Sequence, residues 1–244
     1  MLEDKKTSIT RKTCARAGAA AGLFLFACCA AVIFDAVPAA AAEKAAKVVA
    51  VDPAHGGSDA GVKLTDNLAE KDVTLAIAKM LQKALASDPR FAVRLTRTYD
   101  RAVSTIDRVK FVKEAKADAL VSLHVNAGFG RTASGYEFYF PGFSSPASGT
   151  NTPAEILKDM ARNKHLNDSV RFAQILQKNL ETVFPRKSRW LRDAPLPLLE
   201  GMGIPAIVIE LGFATNTDDR KRIADEKTWK AIAQALAKSF KESF

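Results

Sequence analysis

Two of the three histidines in this 244-residue chain sit at the ends of apolar runs. His55 follows Val48-Val49-Ala50-Val51-Asp52-Pro53-Ala54 and precedes Gly56-Gly57, and His124 stands in Ser122-Leu123-His124-Val125-Asn126-Ala127. A third run, Ile207-Val208-Ile209, ends on Glu210 before Leu211-Gly212-Phe213. Imidazole and carboxylate are the zinc-binding side chains of hydrolases, which use three of them and leave a fourth position for water. Zinc lowers the pKa of that water to roughly 7 and makes it a nucleophile, and a nearby carboxylate relays its proton to the leaving group. Glu210 suits that relay. The third ligand must be a carboxylate near a strand end or helix start; Glu70 fits best, with Asp72 its rival by spacing. Each residue alone has an ordinary explanation: a hydrogen-bonded histidine, a helix-start acid favoured by the dipole, a buried ion-pair partner. Their coincidence at the ends of separate apolar runs argues for a metal site with one zinc per chain.

Such residues meet only if the runs are neighbouring strands. Short apolar runs without alternation read as parallel strands buried on both faces, whose ligands bind just beyond their carboxyl ends. The order of elements agrees. Strands are expected over 47–51, 91–96, 119–123, 136–140 and 205–211. Helices are expected over 68–86, where Val73, Ile77, Leu81 and Leu85 share a face, and from a Ser104/Asp107 capping box to about 116. Two more follow over 169–184 and 227–240, the last with Trp229 and Phe240 on its core face. Residues 141–167 read as a polar loop with one short helix near Glu155–Arg162. Strand–helix alternation predicts a single α/β domain: three αβα layers around a mostly parallel, twisted sheet flanked by helices.

Residues 1–42 form a different segment. A basic start (Lys5, Lys6, Arg11, Lys12, Arg16) leads into apolar Ala17–Phe34, then the small residues Ala39-Ala40-Ala41-Ala42. This is the order of a secretory signal peptide. An uncleaved membrane anchor is the main rival, followed by lipid attachment at Cys28. The expected address is therefore outside the cytoplasm, in the periplasm or cell envelope, with membrane contact only through an uncleaved or lipidated N-terminus. All three cysteines fall in this leader, so residues 43–244 have no disulfide framework and no thiolate zinc site. Of 36 Lys and Arg and 27 Asp and Glu, the leader holds five and three; the remaining 31 and 24 give residues 43–244 a net charge of +7. That surplus suits a solvated surface or weak attraction to an anionic wall polymer. No basic stripe interleaved with aromatics is present, which argues against nucleic-acid binding.

The ordered set Val51-Asp52-Pro53-Ala54-His55-Gly56-Gly57, Glu70-Lys71-Asp72, Leu95-Thr96-Arg97, Ser122-Leu123-His124-Val125-Asn126-Ala127 and Ile209-Glu210-Leu211-Gly212-Phe213 resembles the zinc-dependent N-acetylmuramoyl-L-alanine amidases that split septal peptidoglycan. Leu191-Arg192-Asp193-Ala194-Pro195 and Pro205-Ala206-Ile207-Val208 extend the likeness, so that it spans about residues 47–240. The resemblance implies His55, Glu70 and His124 as zinc ligands and Glu210 as the catalytic glutamate, settling Glu70 over Asp72. It implies hydrolysis of the amide between the lactyl group of N-acetylmuramic acid and L-alanine. Asn126 is expected either to bind substrate or to build the turn. The family usually has glycine where this chain has Ala54, which would strain the turn if that position needs a positive φ. Some relatives plug the zinc with a Glu on a helical insertion until a protein activator withdraws it; Glu155 is the candidate plug here, its plainer reading being an exposed loop carboxylate. His165 is read as a surface residue, Arg97 and Arg108 as ion-pair partners that fix loops, and Trp190 as packing rather than glycan contact. Rival functions are a zinc peptidase acting within the stem peptide and a non-catalytic wall-binding protein.

Overall fold

The computed structural model describes residues 45–128, 130–141, 152–184, 188–200 and 202–244. The leader reading falls outside them. The apolar runs become the centre of a six-stranded sheet. Strand β1 (Lys47–Pro53) pairs in parallel with β4 (Phe91–Leu95) on one side and β5 (Ala119–Asn126) on the other. Strand β8 (Ala206–Phe213) continues in parallel beside β5. Strand β6 (Tyr136–Pro141) then runs antiparallel to β8, and β7 (Ser188–Ala194) runs parallel to β6 at the edge. The order is β4-β1-β5-β8-β6-β7. A separate two-stranded ribbon, β2 (Lys63–Thr65) with β3 (Leu68–Ala69), lies between β1 and the first helix in sequence.

Period-2 side-chain direction sends the strands' apolar residues to two cores. On one face Val49, Val51, Val121, Leu123, Ile207 and Ile209 meet helices α1 (Glu70–Leu85), α3 (Pro153–Leu180) and α5 (Glu226–Ser243). On the other, Ala50, Leu120 and Val208 meet Val112 of α2 (Thr105–Glu114) and Leu198, Leu199 and Met202 of the segment before β8. The three-layer α/β architecture is as expected, with the helices unequally shared. Val73, Ile77, Leu81 and Leu85 of α1 are fully buried, and Trp229 and Phe240 of α5 join the same core. Helix α4 (Thr217–Ile223) follows β8, capped by the side chain of Asn216.

The 141–167 expectation needs correction. Helix α3 begins at Pro153 and runs unbroken to Leu180, so the short helix expected near Glu155–Arg162 is continuous with the one expected from 169, and 163–167, read as loop, are helical. Burial explains the error. Leu157 and Met160, apolar residues of its first turns, are exposed, so they give no sign of a buried face there. Glu155 thus lies in the opening turns of a helix, not a loop; its side chain, like that of Trp190 on β7, lies outside the described residues. His165 is half-buried on the same helix and its Nδ1 meets no partner among the described residues.

Candidate active site

Each chemical residue sits where a buried run stops. In β5 the only partly exposed residues are His124 and Asn126, and in β8 the only one is Glu210. His124 and Glu210 are register partners across β5 and β8, so both point from the same face at the carboxyl ends. Between His124 and Asn126 the register slips, placing one more residue on β8. Gly212 lies there with φ 90, and a Cβ on it would come within 2.4 Å of Ile223 Cδ1. A bulge of this kind re-aims neighbouring side chains.

His55 lies two residues past β1 with φ 58, a left-handed backbone costing a non-glycine residue on the order of 1 kcal/mol. The residues of this turn with positive φ are His55, Gly56 and Gly57, not Ala54. Ala54 therefore carries no such strain; its N–H donates to Leu123 O (3.1 Å), prolonging the β1–β5 ladder. The strain falls on the histidine itself.

Arg97 and Arg108 hold this turn from beneath. Arg97 is buried and gives its guanidinium to carbonyls: Pro53 (3.0 Å), Ala54 (2.8 Å) and Lys71 (2.8 Å). It joins the His55 turn to the start of α1, and forms no ion pair among the described residues, which corrects its expected role. Burial, the largest influence, pushes its pKa down. Arg108 does form the expected pair, with Asp52, and donates to Pro53 O (2.9 Å) and His55 O (2.8 Å). Asp52 also accepts from Thr96 and Ser122, tying β1, β5, α2 and the end of β4 into one buried network.

Three donor atoms converge above this frame. Glu70 Oε1 lies 3.1 Å from His55 Nε2 and 3.3 Å from His124 Nδ1. One atom from each residue falls within 4.8 Å of the others, a group that could hold a metal ion. Donors bound tetrahedrally to zinc at about 2.0–2.2 Å stand about 3.3–3.6 Å apart, so the donor set fits such an ion. Glu70 is itself anchored by backbone N–H groups, from Val62 to Oε2 (3.0 Å) and Val125 to Oε1 (2.9 Å). Asp72 accepts instead from Ala69 N (3.0 Å), capping α1. Gly61 closes the wall: a Cβ there would stand 2.5 Å from Glu70 Oε2 and 2.6 Å from His55 Cδ2. Sequence reasoning passed over Asp59, whose Oδ2 accepts from His55 Nδ1 (2.8 Å). Such a carboxylate fixes the tautomer and tilt of a ligating imidazole.

The charges are strongly coupled. The hydrogen bond to Glu70 raises the His55 pKa to about 9 against the opposing effect of burial, with Asp59 adding to the rise. Glu70 is held down to about 2: burial, its largest single influence, works upward but is outweighed by His124 and His55. Glu210 goes the other way, pushed up to about 7 mainly by burial, with the charges of Glu70 and Glu137 adding and the histidines opposing. Its buried Oε2 has no hydrogen-bond partner. Glu210, His55 and His124 line one groove of about 280 Å³ whose far wall is Leu196, Pro197 and Leu198.

Glu137 was also missed. It is the register partner of Glu210 on β6 and is buried. Its Oε2 accepts from Asn126 Nδ2 (3.0 Å) and Tyr139 OH (2.8 Å), and its Oε1 pairs with Arg192 (3.0 Å). Burial, then Glu137, pushes the Tyr139 hydroxyl up to about 12. Asn126 also accepts from Gly128 N (2.7 Å) and so builds the turn after β5. The signal in sequence was a lone carboxylate inside the aromatic strand Tyr136-Glu137-Phe138-Tyr139-Phe140.

Two histidines beyond parallel strands and a carboxylate opening α1 form a triad able to hold a metal, with a separate carboxylate, Glu210, in reach; this is a hydrolase-type arrangement on an α/β sheet. The N-acetylmuramoyl-L-alanine amidase family model matches residues 49–242, and the chain belongs to that family. An endolysin of Bacillus phage SPP1 is 29% identical over 196 residues, which are 80% of this chain and 65% of the endolysin. A cell wall amidase of Bacillus anthracis, itself uncharacterized, is 32% identical over 193 residues, 77% of this chain and 33% of that protein. The chain thus spans only part of the length of these relatives. The crystal structure of an N-acetylmuramoyl-L-alanine amidase from Clostridium difficile 630 superposes with a TM-score of 0.68 at 29% identity, over 81% of this chain and 96% of that one.

Proposed function

We propose that the protein is a zinc-dependent amidase that hydrolyses the bond between N-acetylmuramic acid and L-alanine of peptidoglycan. The observation that carries this reading is Glu210, whose buried Oε2 has no partner and which shares a groove with His55 and His124. His55 Nε2, Glu70 Oε1 and His124 Nδ1 would hold the ion. When bound, zinc supplies Lewis-acid polarisation of the scissile carbonyl and acidifies water. Glu210 receives the water's proton on its free oxygen and returns it to the departing L-alanine nitrogen. A pKa near neutrality suits both halves of that relay. Asp59 keeps the His55 ring turned with Nε2 toward the ion. Glu137 holds Asn126 and Tyr139 and keeps the β6 side of the groove in place.

The wall-binding alternative gives Glu210 no work to do, while its burial would still cost stability. The peptidase alternative shares the chemistry and differs only in the bond presented. Export through the leader, to the periplasm or cell envelope, is the address that fits this substrate, and residues 43–244 are the catalytic domain on this reading. A protein activator acting near α3 belongs to the same proposal. Incubating the protein with purified sacculi, with and without chelator, separates the three functions. Intact glycan and stem peptides with new L-alanine amino termini are expected, lost on chelation and restored by zinc. Cleavage inside the peptide would make it a peptidase, and no product from a zinc-loaded sample would leave a binder.

A further inference from the structure

A second cavity, of about 430 Å³, shares no lining residue with the groove of Glu210. Its lining includes Lys63, Arg131 and Arg220 together with Thr215 and Thr217, and no acidic residue. None of the three cations has an ion-pair partner among the described residues. Val62 also lines it, and the same residue's N–H donates to metal-site Glu70 (3.0 Å), so the cavity begins one residue from the triad. Ala214, at the end of β8, forms its floor and donates to Asn126 O (2.8 Å).

The walls are built, not incidental. Asn216 Nδ2 donates to Arg131 O (2.9 Å) while its Oδ1 caps α4, which carries Arg220. Asp219, a buried carboxylate on α4, is already used by Gly135 N (2.8 Å), Ser134 Oγ (3.1 Å) and Phe213 N (3.1 Å). It fastens this loop to β8 instead of neutralising the cavity. In the groove of His55, His124 and Glu210, by contrast, Arg108 is paired with Asp52, and Leu196, Pro197 and Leu198 present apolar surface. The two cavities therefore differ in charge.

The substrate is asymmetric in the same sense. The glycan side of the scissile amide is neutral N-acetyl sugar, whereas the stem peptide beyond L-alanine carries free carboxylates. We propose that the cavity lined by Lys63, Arg131 and Arg220 is a stem-peptide subsite that receives those carboxylates, with the glycan directed toward Leu196–Leu198. This rests on the amidase reading and adds to it the direction in which the substrate lies.

The test uses soluble, uncrosslinked glycan strands whose stem-peptide carboxylates are either free or amidated. Wild-type, zinc-loaded protein is expected to show a KM about tenfold lower on the free form, with kcat changed less than about twofold; each exposed cation contributes modestly and the effect is a sum. The triple variant K63Q/R131Q/R220Q should treat both substrates alike, at the KM of the amidated one, and keep its zinc. Raising salt from roughly 50 to 500 mM should weaken wild type toward the variant, because exposed charges are screened. K238Q, which removes an exposed cation on α5, is the matching control and should behave as wild type. Equal KM for the two substrates on wild type overturns the subsite. So does a triple variant that loses binding to whole sacculi with KM on soluble strands unchanged, which would place an anionic wall polymer on these cations. If wild type releases no L-alanine termini from the free form, the amidase reading itself fails, and the subsite with it.

Discussion

Glu210 carries a folding cost. In metal-free protein its pKa lies near 7 against an ordinary 4.5, so the folded state holds that proton more tightly than the unfolded chain. Stability is therefore lost as pH rises from about 4.5 through 7, on the order of 2 kcal/mol for a group this buried. Glu210→Gln should raise the unfolding midpoint of the metal-free protein at pH 8 and leave it nearly unchanged at pH 4, as read by urea titration. The same variant should bind zinc stoichiometrically and lose about 10²–10⁴ in kcat; undiminished turnover removes Glu210 from the mechanism. His55 gives the same sign of slope in a higher window, through a favourable contact and not a burial cost. A raised histidine contributes stability fully below about 6.5 and loses it as pH climbs through about 9. Because a ligating imidazole must be deprotonated, binding expels that proton, and zinc affinity should rise about tenfold per pH unit up to about 9. Competition with a chelator at pH 6, 7 and 8 measures the slope, and a flat result would deny His55 a ligand role. Asp59→Asn should weaken zinc about 10- to 100-fold without unfolding the protein.

At the scale of elements, legibility followed burial. The runs ending at His55, His124 and Glu210 were plain because strands packed on both faces must be continuously apolar, which leaves a polar terminus conspicuous. Glu70 was visible only as a helix-start acid, since nothing in one sequence tells that Val62 and Val125 will donate to it. Glu137 was hidden by strand pairing: its partner Glu210 lies 73 positions further along the chain, and no local period links them. Helix α4 was hidden by its shortness, and β7 by its place at the sheet edge beside β6. The bulge at Gly212 was equally silent, yet it shapes the end of β8. Gly212→Ala should cost about 1–3 kcal/mol from its left-handed backbone and the approach to Ile223. The extra residue of the bulge is on β8, the strand of Glu210, while His124 stands on the facing strand, so activity should fall more than zinc affinity; equal losses would deny the bulge that selective role.

At the scale of the molecule, the site stands on a buried polar frame. Asp52 joins Arg108, Thr96 and Ser122 beneath the His55 turn, and removing one partner of such a network strands the other. Asp52→Ala should cost about 3–5 kcal/mol in urea unfolding, a loss that added zinc would not restore; a change under about 1 kcal/mol would show the network to be dispensable. Net charge and the α/β alternation were readable from composition and order alone, while the unequal sharing of helices between the two faces was not.

Arg97 has the widest reach. By fastening Pro53, Ala54 and Lys71 through their carbonyls, it sets the spacing of His55 and Glu70 with protein atoms only. None of these bonds uses a donor atom of the triad. Chelation should then leave cooperative unfolding and near-UV dichroism intact, with activity returning on titration of zinc. Unlike a small zinc-nucleated domain, this enzyme would fold first and be loaded afterwards. Its working fraction would follow the free metal of its surroundings, making the ion a reversible setting and not a condition of survival.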